Sequence, residues 1–126
     1  MNIPSDLLYT SDHEWIKVTG NDALVGITDF AQGELGDIVF VEIETLDSSL
    51  DKGQTFGTIE AVKTVSDLFM PVSGKVVEVN SRINDAPDLI NKDPYGEGWL
   101  IRMEVKDAAQ LGTLLDAAAY AALINA

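Results

Sequence analysis

The chain contains no cysteine, a single histidine, four prolines and only 8 basic side chains among its 126 residues. Without thiols it forms no disulfide, no thiolate metal site, no cysteine nucleophile and no Cys-x-x-Cys redox pair, so any sulfur chemistry must arrive with an added group. The lone histidine, His13, has no second histidine or cysteine to share a zinc ion, and between Asp12 and Glu14 it reads as a structural or surface residue. Long apolar runs are missing too. None approaches the roughly 18 residues that a membrane span requires, and Met1 to Ser5 lacks the basic and apolar segments of a secretion signal. The expected compartment is a cytoplasm of bacterial type, with a mature organellar protein as the other option.

Against 8 basic side chains stand 21 acidic ones, giving a net charge of −13. Nucleic acids and anionic membranes are bound through Lys/Arg clusters, so both are poor partners for this chain. Either the acidity steers the chain towards partners with basic patches, or it keeps an abundant protein soluble. The length suits one domain with a modest core, taken as residues 1–126.

What the chain does have is short alternating apolar runs. They place strands near 14 to 18, 23 to 28, 37 to 43, 54 to 61, 64 to 70, 74 to 80 and 98 to 105, a spacing that points to an all-β sandwich or barrel. One short helix is expected after Asp29, with Gln32 three residues on, and another after Asp107, with Gln110 in the matching place. The alanine-rich segment from Asp116 to Ile124 has Leu115, Ala119, Tyr120 and Leu123 at helical spacing and is expected to pack on the sheet. The C-terminal segment, about 107–126, is therefore helical. Gly36-x-Ile38-Val39-x-Val41 recurs as Gly74-x-Val76-Val77-x-Val79, which fits two similar β-layers joined at a hairpin.

Lys63 lies between these two copies, with strand-like residues on both sides, so it falls at or near a hairpin tip. A lysine there is free of cross-strand packing and open to a modifying enzyme. Lys17 and Lys75 belong to strands, Lys52 precedes a turn glycine, and Lys92 and Lys106 occupy polar loop or cap surroundings. Local turn chemistry does not place the tip, because Val62-Lys63 is not one of the glycine-containing pairs that favour tight hairpins. Among other candidate sites, Glu14 and Asp67 are carboxylates without an accompanying nucleophile, and the glycines follow no phosphate-loop spacing.

Glu60-Ala61-Val62-Lys63-Thr64-Val65-Ser66-Asp67, followed by Pro71-Val72-Ser73-Gly74-Lys75-Val76-Val77-Glu78-Val79-Asn80, resembles the lipoyl-lysine segment of the glycine cleavage H-protein family. The likeness extends to Ser11-Asp12-His13-Glu14-Trp15, to Gly26 through Gln32, to Leu35 through Glu42, to Leu89-Ile90-Asn91 and to Asp93 through Leu100. Two departures are Ala61, where the family usually has Ser, and the segment Glu44 to Ser49, where a Leu-Pro turn is common.

The resemblance implies a mainly β fold of the flattened barrel-sandwich hybrid type shared by lipoyl and biotinyl carriers, with short peripheral and C-terminal helices. It implies lipoate joined covalently to Lys63 and no catalysis by the chain itself. Glycine decarboxylase would load an aminomethyl group, aminomethyltransferase would pass on its one-carbon unit, and dihydrolipoamide dehydrogenase would reoxidise the arm. A lipoyl ligase or transferase would attach it. Residues matching Glu14 and Asp67 lie near where a loaded arm rests, although Asp12 stands where the family often has Ser.

Three rivals stay open. A biotin carrier shares the architecture, but its lysine is set between methionines. An H-like carrier or lipoyl donor in another pathway has the same motif, and an unmodified β-barrel interaction module requires none.

Overall fold

The computed structural model describes all residues, 1–126. In chain order the elements are β1 (Leu8–Tyr9), β2 (Glu14–Thr19), β3 (Asp22–Ile27), α1 (Asp29–Leu35), β4 (Ile38–Glu42), β5 (Ser49–Leu50), β6 (Thr55–Ala61) and β7 (Val65–Phe69). There follow β8 (Gly74–Val79), α2 (Arg82–Asp85), α3 (Leu89–Lys92), β9 (Ile101–Val105), a 3-10 turn over Ala108–Thr113 and α4 (Ala117–Leu123).

The strands form a six-stranded sheet, ordered β1-β2-β3-β9-β8-β5, and a three-stranded sheet, ordered β4-β6-β7. All pairs are antiparallel. Ile16, Val25, Ile27, Val76, Ile101 and Met103 from the larger sheet share one buried cluster with Ile38, Val41, Phe56, Ile59 and Leu68 from the smaller one. Burying these side chains removes about 25 cal/mol of unfavourable hydration per Å² of apolar surface, the main force holding the two layers face to face. A second cluster of Leu7, Tyr9, Trp15 and Tyr120 ties β1 to α4.

The strand expectations hold within a few residues, but the last strand starts at Ile101 rather than 98. Trp99 and Leu100 are held by a turn and by a bond from Leu100 N to Val25 O instead. The helix after Asp29 is present, yet its cap is Thr28, whose Oγ1 accepts Ala31 N at 3.2 Å. The Asp29 carboxylate is engaged by Asn2 N and Gln32 Nε2. After Asp107 the chain makes a 3-10 turn rather than an α-helix, and Gln110 accepts Ser73 N instead of closing a capping box. The α-helix begins only after Asp116, which caps Ala119 N.

The internal echo falls one copy in each sheet, and both copies slip register at the equivalent place, between Ile38 and Phe40 and between Val76 and Glu78. Such matched bulges bend each strand at the same point and support the two-layer reading. The hairpin does not join the layers, however. β6 and β7 pair continuously within the small sheet, from Thr55↔Phe69 to Glu60↔Val65. The chain instead crosses between the sheets four times, from β3 to β4, β4 to β5, β5 to β6 and β7 to β8, and in the second crossing Asp47 N donates to Val76 O and Val76 N to Ser48 O.

Candidate functional site

Val62, Lys63 and Thr64 connect β6 to β7. Ala61 N donates to Thr64 O at 2.8 Å and closes the loop, while Val62 N donates to Asp37 O at 3.0 Å and ties it to the start of β4. The two anchors hold the backbone still on either side of an exposed lysine. Beneath it lies Gly36, the C-cap of α1, in the left-handed region at φ 79°. A Cβ at residue 36 would touch Lys63 Cε at 3.5 Å, so the lysine tail lies over a spot kept bare by a glycine that the backbone also requires.

That platform is stapled by Asn91 of α3. Its Nδ2 donates to Gly36 O and Gln32 Oε1, and its Oδ1 accepts Ile38 N at 3.0 Å, so one side chain joins the end of α1 to the start of β4.

Along β7 from the tip, Ser66, Asp67 and Leu68 form one wall of a recess of about 200 Å³, which α1 and β2 complete. Ile27, Leu35, Ile59 and Leu68 make its lining apolar; Asp12, Glu14 and Glu34 are its acidic residues, and Asp67 borders it from β7 with a register position on the outer face of the sheet. Ser66 to Leu68 lie roughly 10 to 17 Å of extended chain from Lys63. The structure thus brings both expected carboxylates, Glu14 and Asp67, to one recess.

Their states differ. Asp67 is exposed, whereas Glu14 is only 2% accessible. Glu14 Oε2 accepts Phe69 N at 2.9 Å and Oε1 accepts Thr10 Oγ1 at 3.1 Å, which links the two sheets through one carboxyl group. Burial without a paired cation pushes it up to about 8, against the pull of those two hydrogen bonds. A second recess of about 200 Å³, lined by Tyr9, Lys52 and Met70 among others, borders Glu14 on its far side.

His13 also lines the first recess, as the structural residue expected of it. Its backbone is left-handed, φ 68°, and its Nδ1 lies 2.9 Å from Tyr120 Oη, which lies 2.7 Å from Thr28 Oγ1. Burial holds the imidazole below its ordinary pKa and so favours the neutral ring; we assign Nδ1 as its acceptor because Thr28 Oγ1, which accepts Ala31 N, donates to Tyr120 Oη and leaves that hydroxyl's proton for Nδ1. Donation then runs one way: Ala31 N to Thr28 Oγ1, Thr28 Oγ1 to Tyr120 Oη, Tyr120 Oη to His13 Nδ1. Through this chain α4 fixes both the start of α1 and the strained residue beside Glu14.

Tyr120→Phe keeps the ring stacked on Tyr9 but removes the hydroxyl. Buried Thr28 and half-buried His13 both lose their bond, so unfolding in urea should show a loss of about 1 to 3 kcal/mol. The His13 pKa, followed by NMR of its ring protons, should rise, because the neutral form no longer receives a hydrogen bond. An unmoved His13 titration would contradict the direction assigned to the chain.

Sequence reasoning missed Asn91, Thr28 and Tyr120 as parts of this site. Asn91 leaves one signal, its place in the Leu89-Ile90-Asn91 segment that carries part of the family resemblance. The tyrosine leaves none, since it reads as an ordinary core contact of an alanine-rich helix.

Two unequal antiparallel sheets around one core, with matched bulged strands and a lysine-tipped hairpin, define a barrel-sandwich hybrid of the lipoyl-domain type. The family model described as glycine cleavage H-protein matches residues 7–126, and the chain belongs to that family. The glycine cleavage system H protein of Bacteroides thetaiotaomicron is 58% identical over 125 residues, 99% of each chain. That of Chlorobium limicola is 60% identical over 127 aligned positions, again 99% of each. The crystal structure of a glycine cleavage system H protein from Mycobacterium marinum superposes with a TM-score of 0.86 at 41% identity, covering 98% of this chain and 100% of that one.

Proposed function

We propose that the chain is the lipoyl-bearing carrier of the glycine cleavage system, with Lys63 as the attachment residue. The observation that carries this reading is the setting of Lys63. Among the lysines it alone occupies a hairpin loop: Lys17 and Lys75 lie in strands, Lys52 is bonded to Thr113, and Lys92 and Lys106 are ion-paired to Asp88 and Glu104.

When bound, the lipoyl group supplies a dithiolane that accepts and releases a one-carbon amine unit and can be reoxidised. The protein supplies placement. Anchored backbone on both sides of Lys63 keeps the attachment point fixed, and tethering raises the effective concentration at each partner without new contact energy. The apolar recess gives the arm a place to rest out of water, with the exposed Asp67 at its edge and Glu14 set in its wall as a protonated, hydrogen-bonded group rather than a free anion. Catalysis then belongs to the partners: glycine decarboxylase, aminomethyltransferase and dihydrolipoamide dehydrogenase, after a lipoyl ligase or transferase has made the attachment. No helix is long and apolar enough to cross a membrane, and we assign the carrier to the cytoplasm.

Peptide mapping after incubation with lipoate, ATP and a lipoyl ligase should find one adduct, on Lys63. An adduct mainly on Lys52 or Lys75 would overturn the assignment, and a biotin mass in protein from the native host would replace lipoate by biotin.

A further inference from the structure

We propose that the outer face of the three-stranded sheet around Lys63 is the docking surface for the enzyme that acylates this lysine, and that this enzyme meets it with an apolar depression rimmed by Lys and Arg. The inference rests on the reading of Lys63 as the acylated residue.

The protein leaves eight large hydrophobic side chains exposed, and four of them, Val39, Phe40, Val62 and Val65, belong to β4, the hairpin loop and the start of β7. Phe40 is 52% accessible, Val62 75% and Val65 60%. Phe40 and Val65 flank Glu60 in one cross-strand row, so they share a face of the sheet. Scattered exposed apolar residues need no explanation, but a cluster around one functional atom marks an interaction site.

Charge narrows the partner. The next row on the same face is Glu42, Thr58 and Asp67, with a carboxylate at each end. Every ion pair of the protein lies elsewhere, on Arg82, Lys92, Arg102 and Lys106. Glu42, Glu60 and Asp67 therefore remain uncompensated, and Lys63 is the one basic residue of the sheet and its hairpin. Exposed apolar side chains set among carboxylates, with Glu60 between Phe40 and Val65 and Glu42 and Asp67 in the next row, are complementary to an apolar depression bordered by Lys and Arg.

Reach decides between the partner enzymes. An enzyme acting on the far end of the arm meets chemistry displaced from the tip by the arm's own length. The acylating enzyme has no such freedom. Its active site must come to Nζ, which attacks the acyl carbon of an activated lipoyl donor, an acyl-adenylate or acyl-thioester. The new C–N bond forms as the bond to the leaving group breaks, and one Nζ proton passes to a base of the enzyme. Val62 and Val65, which flank Lys63 in the chain, are therefore in that interface, and Phe40, across Glu60 from Val65, extends it as an aromatic anchor.

The test is steady-state lipoylation of the unmodified protein by a lipoyl ligase with lipoate and ATP, read by intact mass. Phe40→Ser should raise KM for the protein at least tenfold with kcat within about twofold. Leu46→Ser, a comparably exposed change in the β4–β5 loop, should alter neither. A paired Glu42→Gln, Glu60→Gln variant should flatten the fall of kcat/KM with added salt. Lys63→Arg protein should inhibit competitively, and adding Phe40→Ser to it should remove that inhibition, which reads docking without any acylation. Should the wild type acquire lipoate on Lys63 while Phe40→Ser, folded by thermal unfolding, keeps its KM, the docking surface is wrong and the attachment site stands. If Lys63 is not acylated at all, both are wrong.

Discussion

Lys63→Arg is expected to reduce glycine-dependent carbon dioxide release, in a system reconstituted with the three partner enzymes, to the level seen with no carrier present. The guanidinium preserves length and charge at the hairpin tip, where the loop is held by backbone bonds from Ala61 N and Val62 N rather than by the lysine side chain. Unfolding should therefore be nearly unchanged, as for exposed substitutions generally, which fall within about 0.5 kcal/mol. Arginine forms no stable amide with lipoate, so the loss is of tethering and not of fold. With effective concentrations in the millimolar range for a tethered group, its removal cannot be repaired by residual docking. Release at an appreciable fraction of the lipoylated protein's rate, with free lipoate absent, would show that another residue carries the chemistry.

How much of this was legible beforehand follows from the length and range of each feature. The strands β2, β3, β4, β6, β7 and β8 announce themselves because each is a run of five to seven residues rich in β-branched and apolar side chains, and in β3 and β8 the buried positions also alternate. β1 and β5 have two residues each and α2 and α3 four, too few for any period to show. The hairpin loop carries no turn signature. Its geometry depends on a bond from Val62 N to the carbonyl of Asp37, the residue before β4, and its position was legible only through resemblance.

The same limit hid the supports of the site. His13 and Tyr120 are 107 residues apart and Thr28 and Tyr120 92, so nothing in local sequence links them. The echo of Gly36 to Val41 in Gly74 to Val79 correctly implied two related layers, yet it could not say which connections cross between them. Strand pairing decided that the lysine hairpin stays within one sheet. Glu14 was legible as a carboxylate near a candidate resting place, but its burial was not, because that depends on β7 and Thr10 closing over it.

That burial gives the second large effect, a stability that declines with pH through one side chain. Glu14 titrates at about 8 when folded, against 4.5 as its ordinary value, with desolvation as the leading cause. Below 4.5 both folded and unfolded chains hold the proton and the group contributes nothing to the slope. Between 4.5 and 8 the unfolded chain has released it while the folded chain keeps it, so raising the pH favours unfolding, by at most about 1.4 kcal/mol per pH unit. Above 8 the penalty is complete, on the order of a few kcal/mol. Glu14→Gln has no proton to lose and retains an oxygen for Phe69 N. Its amide faces Thr10 Oγ1, which already accepts from Asp12 N and Glu14 N, so refitting carries a cost, but one independent of pH. The other acidic side chains act alike on both proteins and cancel in the difference. Urea unfolding of the two at several pH values should therefore show the variant gaining steadily on the wild type from about pH 5 to pH 8 and no further beyond. Parallel curves across that window would mean that Glu14 is already ionised in the folded protein, held by its two hydrogen bonds in spite of its burial.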